Sequence, residues 1–488
     1  MQTIPRRHLI LLAAAAAISM ALYLAWCSHN YRIGFPLDDA WIHQTYARNL
    51  ALRGEWAFLP GVVSAGSTSP LWSFLLSIGY GLHIPPIPWT FSLGWALLSG
   101  LGVGVEWFVR KSNLNERPGL PWAGLLVCFE WHMVWASLSG METLASALIV
   151  TLVLLGLAQE KPNFLFLCLL IGVGVWIRPD LITLAGPIVL GGLFQIFSGR
   201  LSWHKFCLAW VPFLGGLIPY LLFNHFLSGQ VWPNTLYAKQ AEYAALQQIP
   251  FPSRFLSEIE LPLVGVGVIL LPGWAAWVVN CIQRRDWKAA LGFLWWAGYA
   301  GIFALTLPVT YQHGRYMMPG MPVYFTWGLL GLFLLRKSNF LERHRLLWTS
   351  WAVSAAATLL VFWGLALSAY ASDVAIIETE MVNPAQWAAA NIPSGTTIAA
   401  HDIGALGFFG RHNIFDMAGL ISPQAIPAMG NEEKMAELIH QAGAEYLILT
   451  FGWYPGLARE GELIYTSDGH FAPALGAENT RIYRWTGH

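Results

Sequence analysis

Eleven long apolar stretches constrain this chain more than any other feature, at roughly 8–27, 88–109, 120–138, 142–159, 163–178, 181–197, 206–227, 261–281, 289–308, 318–335 and 346–370. Each approaches the ~20 residues that a helix needs to cross a hydrocarbon layer. Only 11% of the 488 residues are charged, against about 25% in a soluble domain. A water-soluble multidomain protein is excluded, and a polytopic, mostly α-helical membrane protein is expected. The 26 Trp suit it, because indoles favour the membrane interface. Arg6 and Arg7 precede the first stretch as they would a signal peptide, but its length and the lack of an A-x-A-like site favour a retained helix.

The stretch 70–83, between Pro70 and Pro85-Pro86, is too short to span and reads as a helix lying in the interface. Its placement decides the topology. With it on the surface and the N-terminus inside, fifteen basic residues fall on inner segments: Arg6, Arg7, Arg110, Lys111, Arg117, Lys161, Arg200, Lys205, Arg284, Arg285, Lys288, Arg336, Lys337, Arg343 and Arg345. Seven fall on outer loops: Arg32, Arg48, Arg53, Arg178, Lys239, Arg254 and Arg315. The positive-inside rule then gives a cytoplasmic N-terminus and an outer C-terminus in the inner or plasma membrane. The expected domains are a membrane domain, 1–370, with an outer loop 28–87, and a small extracytoplasmic α/β cap, 371–488. In the cap, Thr396–Ala400 and Tyr446–Leu449 read as strands and Glu432–Gln441 as an amphipathic helix.

The 27 basic and 27 acidic residues balance, which argues against a nucleic-acid partner. Cys27, Cys128, Cys168, Cys207 and Cys281 have no paired short spacing and read as buried small hydrophobes. No internal repeat and no low-complexity tract is visible.

Acids gather on the outer side: Asp38, Asp39, Glu55, Glu142, Asp180, Glu242, Glu258 and Glu260, against Glu116, Glu160, Asp286 and Glu342 inside. Adjacent carboxylates such as Asp38 and Asp39 repel, so the pair suits a general base, a divalent metal site, or both. An N-cap for the following helix, Ala40 to Leu50, explains them equally well. Glu142 is a second acidic position, and it would also complement the first turn of a helix. Arg178, Lys239 and Arg315 are the outer cations that could hold a phosphate; snorkelling to lipid headgroups is the competing reading. Glu106 reads as an i,i+4 partner of Arg110. Glu130 lies in mid-membrane, where a carboxylate is either functional or hydrogen-bonded in neutral form.

Several segments together resemble the GT-C superfamily of multispanning glycosyltransferases, in particular the branch of mycobacterial terminal arabinofuranosyltransferases. They are Asp38-Asp39-Ala40-Trp41-Ile42 with Tyr46-Ala47-Arg48-Asn49-Leu50, Ser67-Thr68-Ser69-Pro70-Leu71-Trp72, Ser139-Gly140-Met141-Glu142-Thr143, Arg178-Pro179-Asp180, Pro233-Asn234-Thr235-Leu236-Tyr237-Ala238-Lys239, Gly314-Arg315-Tyr316, and Asp402 to Phe408 followed by Asp416-Met417-Ala418-Gly419-Leu420. The resemblance implies transfer of a sugar from a polyprenyl-phosphate donor to an envelope glycan, lipid or protein acceptor at the outer face. The branch suggests arabinofuranose. Carried over residue by residue, it implies Asp38 and Asp39 as catalytic base and as holders of a divalent cation such as Mg, Mn or Ca. It implies Glu142 as the second acid. The chain has Asp180 where the family usually has Glu, and Phe408 where a Tyr is common.

Transfer at a phosphate leaving group needs cations nearby and no separate acid, which gives Arg178, Lys239 and Arg315 the donor phosphate. His401 and Asp402, after a strand and before Gly404, are acceptor-binding candidates, or else a strand-end turn. A lipid-linked sugar transporter or flippase is the alternative function, and a non-catalytic envelope scaffold is a third. A transporter would be expected to show repeat symmetry and several polar groups at the midplane.

Overall fold

The computed structural model describes residues 4–112, 119–337 and 344–485; Glu116, Arg117, Glu342 and Arg343 lie outside the described residues, as does the side chain of Lys288. All eleven apolar stretches fall on helices. Among the described residues, six helical segments are long and apolar enough to cross a membrane, and Thr143–Leu157, Phe164–Ile177 and Ala290–Thr306 are shorter apolar helices. The protein is a multi-pass, mostly α-helical membrane protein with a small C-terminal sheet.

Three of the expected spans are interrupted. The span 120–138 divides into Trp122–Phe129 and Trp131–Leu138 at Glu130. There the Glu130 carboxylate accepts the Met133 backbone N–H at 3.2 Å and lies 2.8 Å from His132 Nδ1. The mid-membrane acid is thus an N-cap that satisfies the donors freed by the break. The span 206–227 is built from Trp203–Ala209 and Val211–Ser228. The span 261–281 begins with two short turns before the helix Leu271–Arg284. Glu106 pairs with Arg110 at 2.7 Å as expected and also accepts the N–H groups of Ala123 and Gly124.

The first and last long helices, Arg6–Asn30 and Arg345–Ile377, close on each other. Tyr23 donates to the Trp363 carbonyl at 3.0 Å, and Trp363 donates to Ser19 at 2.7 Å. The short stretch after Pro70 is the helix Pro70–Gly81, and its Trp72 donates to the Gly140 carbonyl at 2.9 Å. Four cysteines are buried free thiols. Cys207 is exposed, because its helix turns that face outward.

A hairpin of β1 (Ala57–Leu59) and β2 (Val62–Val63) sits between the helices Asp39–Arg53 and Pro70–Gly81. The C-terminal region carries β3 (Thr397–Ala400), β4 (Asn413–Asp416), β5 (Tyr446–Thr450), β6 (Gly461–Thr466) and β7 (Thr480–Trp485) in the order β4-β3-β5-β7-β6. β3 pairs in parallel with β4 and β5, and β7 is antiparallel to β5 and β6. Strand periodicity separates two faces. Ala399, Phe415, Leu447 and Tyr483 pack with Met435 and Ile439 of the helix Glu432–Gln441. Ile398, Ile414, Ile448 and Ile482 join the main hydrophobic core of the helical domain. The sheet is therefore seated on the helices through one apolar face.

Candidate active site

The helix Asp39–Arg53 starts immediately after Asp38, so the two neighbouring carboxylates leave the backbone in different directions. Asp38 makes no cap to its own helix. Its Oδ2 accepts the Gly404 N–H at 2.6 Å and its Oδ1 accepts the Ala405 N–H at 2.8 Å, so it caps the helix Gly404–Phe409 of the C-terminal domain. A Cβ on Gly404 would stand 2.1 Å from the Asp38 carbonyl oxygen, and only glycine fits there. Burial, with Asp402 nearby, pushes the Asp38 carboxyl up to about 7, against the pull of the two backbone donors.

Asp39 faces a cleft instead. The cleft encloses about 860 Å³, part of it open to solvent, and its wall includes Asp39, His43, Glu142, Arg178, Asp180, Lys239, Arg315 and Tyr316. Ile42, Met141, Leu236, Phe303 and Leu307 supply apolar wall. Arg315 donates to Asp39 Oδ2 at 2.6 Å, and Lys239 Nζ lies 4.0 Å from the same oxygen. Burial alone would raise the Asp39 carboxyl, but Lys239 and Arg315 outweigh it and hold the group well below the usual carboxylate range.

Arg315 is delivered by an unusual turn. Gln312, His313 and Gly314 all have positive φ, at 54°, 59° and 68°, which is costly for the first two. His313 is held there by Asp373, 2.7 Å from its Nε2, and by edge contacts with Trp131 and Trp135. Arg315 is only 4% exposed, and its Nη1 has no hydrogen-bond partner. Arg178 is committed elsewhere: it makes a bidentate pair with Asp180 at 3.1 and 2.7 Å. Tyr299 donates to Asp180 at 2.6 Å. Asp180 thus balances Arg178 at the cleft wall.

Lys239 comes from the helix Asn234–Glu242, which straps the cleft to the C-terminal domain. Asn234 at its start donates to the Leu420 carbonyl at 3.3 Å, and Glu242 at its end lies 3.8 Å from His401 Nε2. His401 and Asp402 are outside the cleft wall. His401 Nδ1 is 2.9 Å from the Tyr454 hydroxyl, and its ring is raised: burial lowers it, but Glu242 and Asp402 more than compensate. Phe408 packs on Trp41 and under Arg48, whose guanidinium donates to the Phe408 carbonyl at 2.6 Å.

The structure therefore brings Asp39, Glu142, Arg178, Lys239 and Arg315 to one cleft, and turns Asp38, His401 and Asp402 toward the domain interface. Asp38 and Asp39 do not fit a divalent cation held between them, because both Asp38 oxygens accept backbone N–H groups and Asp39 is already met by two cations. Among the described residues no group of three or more His, Cys, Asp or Glu is arranged to hold a metal ion. Sequence reasoning missed His43 and gave no role to Tyr316 and Thr235, which stand in the segments that carried the resemblance; all three line the cleft. His43 stood one helical turn after Asp39, which was the available signal.

Residues 372–484 match a family model described as a domain of unknown function (DUF8728). No curated protein matches the chain. Among solved structures, ArnT from Cupriavidus metallidurans bound to undecaprenyl phosphate is similar over 97% of this chain and 97% of its own, with 13% identity and a TM-score of 0.59. The archaeal oligosaccharyltransferase AglB from Archaeoglobus fulgidus, in complex with an inhibitory peptide and a dolichol-phosphate, is similar over 94% of this chain and 73% of its own, with 12% identity and a TM-score of 0.55. At such identities fold is what is shared, and this chain has the fold of ArnT and of AglB.

Proposed function

We propose that this protein is a membrane glycosyltransferase that takes a sugar from a polyprenyl-phosphate donor and passes it to an envelope glycan, lipid or protein acceptor on the outer membrane face. The observation that carries this reading is the cleft, where an ionised Asp39 holds Arg315 and Lys239 beside an apolar wall. A phosphate suits the cations, and the first isoprene units suit the wall. Nη1 of Arg315, buried and without a partner, is a ready donor to a phosphate oxygen. The undecaprenyl phosphate bound to ArnT and the dolichol-phosphate in the AglB complex support a donor of this class.

In the reaction an acceptor hydroxyl oxygen attacks the anomeric carbon, and the bond from that carbon to the phosphate breaks with its electron pair going to the phosphate. Arg315 and Lys239 stabilise the charge that builds there, and losing one such fixed donor typically costs about 10²–10³ in rate. Arg178, already balanced by Asp180, shapes the wall. Asp39 keeps the two cations in register until the donor arrives. Resemblance to the arabinofuranosyltransferase branch makes arabinofuranose the first sugar to test.

The charge distribution supports a cytoplasmic N-terminus and an outer 371–488 cap over a 1–370 membrane domain. The docking of the cap through Asp38–Gly404 and the Asn234–Glu242 strap supports a role for it in closing the site. Incubating the purified protein with undecaprenyl phosphates carrying different sugars tests the assignment. Release of undecaprenyl phosphate from one of them is expected; no release from any would contradict it.

A further inference from the structure

Two carboxylates of the cleft, Asp39 and Glu142, have opposite surroundings. Asp39 touches Arg315 and stands beside Lys239. A carboxylate pinned in its ionised form by two cations is a weak proton acceptor, because accepting a proton gives up both attractions. Glu142 is met differently. Its Oε2 is buried without a hydrogen-bond partner and lies 3.6 Å from His43 Nε2, its one ion-pair contact among the described residues. The imidazole is held from behind, with Nδ1 at 2.9 Å from the Ser73 hydroxyl and 3.3 Å from that of Ser67, the two serines being 3.0 Å apart. Trp72, between these serines, fixes the Gly140 carbonyl two residues before Glu142. The segment 67–73 and the segment 139–143 thus converge on one dyad at the cleft wall.

We propose that Glu142 takes the proton of the acceptor hydroxyl, and that His43, held by Ser67 and Ser73, is the positioning residue that orients Glu142. This rests on the transfer reaction proposed above and assigns its proton. The acceptor oxygen forms the new bond to the anomeric carbon, the electron pair of the broken carbon–oxygen bond leaves on the polyprenyl phosphate, and the hydroxyl proton passes to Glu142 and then to water. The charged groups facing the dyad are Asp39 on the same helix as His43, Arg315 from the strained turn, and Arg178 beyond Glu142. Burial lowers the His43 imidazole and Arg315 acts with it, while Glu142 and Asp39 oppose. The ring is neutral near pH 7. With Nε2 protonated, its N–H faces Glu142 at 3.6 Å and Nδ1 accepts a serine hydroxyl.

The test uses the full-length protein, the undecaprenyl-phosphate sugar that it consumes, and an octyl glycoside acceptor, with kcat and KM measured from pH 5 to 9. Glu142→Gln is expected to lower kcat about 10²–10⁴-fold, the range for a positioned base, with little change in donor KM. His43→Phe keeps a ring but removes the N–H that faces Glu142. It should lower kcat at unchanged donor KM. His43→Gln, which restores an N–H, should return kcat toward the wild-type value. Wild-type kcat in Glu142→Gln would overturn the proposal. So would a rate loss in His43→Phe that His43→Gln does not relieve, since that is the mark of a merely structural residue. If the wild-type protein consumes no donor, the transferase reading itself fails, an outcome distinct from the other two.

Discussion

Asp38 and Asp39 are adjacent in sequence and opposite in circumstance. Asp38 accepts two backbone N–H groups from the cap, and burial with Asp402 raises its carboxyl to about 7. A group whose folded pKa lies above its unfolded value near 3.8 is bound more tightly to its proton in the folded state. The Asp38 contribution to stability therefore falls as pH rises from about 4 to 7 and is flat above. Asp38→Asn should make the slope of stability against pH less negative, visible in thermal melts between pH 5 and 8. It should also cost about 1–3 kcal/mol, because one cap N–H is left facing an amide N–H. An unchanged slope would mean that the raised carboxyl does not act on the folded state. The charged residues of the cleft were legible in the sequence because charge is scarce in so apolar a chain. What Asp38 touches was not legible, because Gly404 lies hundreds of residues away. His43 was missed because a histidine in a polar helix reads as surface, and its burial depends on two other segments folding over it. Glu130 showed the converse, a conspicuous acid that resolves into a helix cap.

Among the elements, the turn Gln312–Gly314 carries the most stored strain at the site. Three successive left-handed residues cost of the order of 1–3 kcal/mol at each non-glycine position. The His313–Asp373 contact and the two indoles sustain the shape that aims Arg315. A Cβ on Gly314 would lie 2.7 Å from Leu261, besides the positive φ of 68°. Gly314→Ala should therefore lower both the melting temperature and kcat, and the donor KM should rise as Arg315 shifts. Unchanged donor kinetics would detach the turn from the site. Helix positions were readable from apolar length alone, and the short helix Pro70–Gly81 from the prolines that bound its apolar run. The breaks at Glu130, near Trp210 and around 261–270 were not, because uninterrupted hydrophobicity hides a change of helix axis. β4, β6 and β7 went unread, since short strands gain their identity from partners in the sheet.

At the scale of the molecule, helices and cap share one core, and the cleft lies where the strap Asn234–Glu242 joins them. Orientation is testable on a background in which exposed Cys207 is replaced. A cysteine at Glu433 should label from outside in intact cells, and one at Arg200 only after permeabilisation. The reverse pattern would overturn the cytoplasmic N-terminus. The central claim is that ionised Asp39, with Arg315 and Lys239, forms the centre of a lipid-phosphate sugar transferase. Its most direct measurement is undecaprenyl phosphate release by the purified wild-type protein and by Asp39→Asn, across the donor-sugar panel. Release from at least one donor by the wild type is expected, with a loss of about 10² or more in Asp39→Asn at similar melting temperature. Equal release by the two proteins would contradict it.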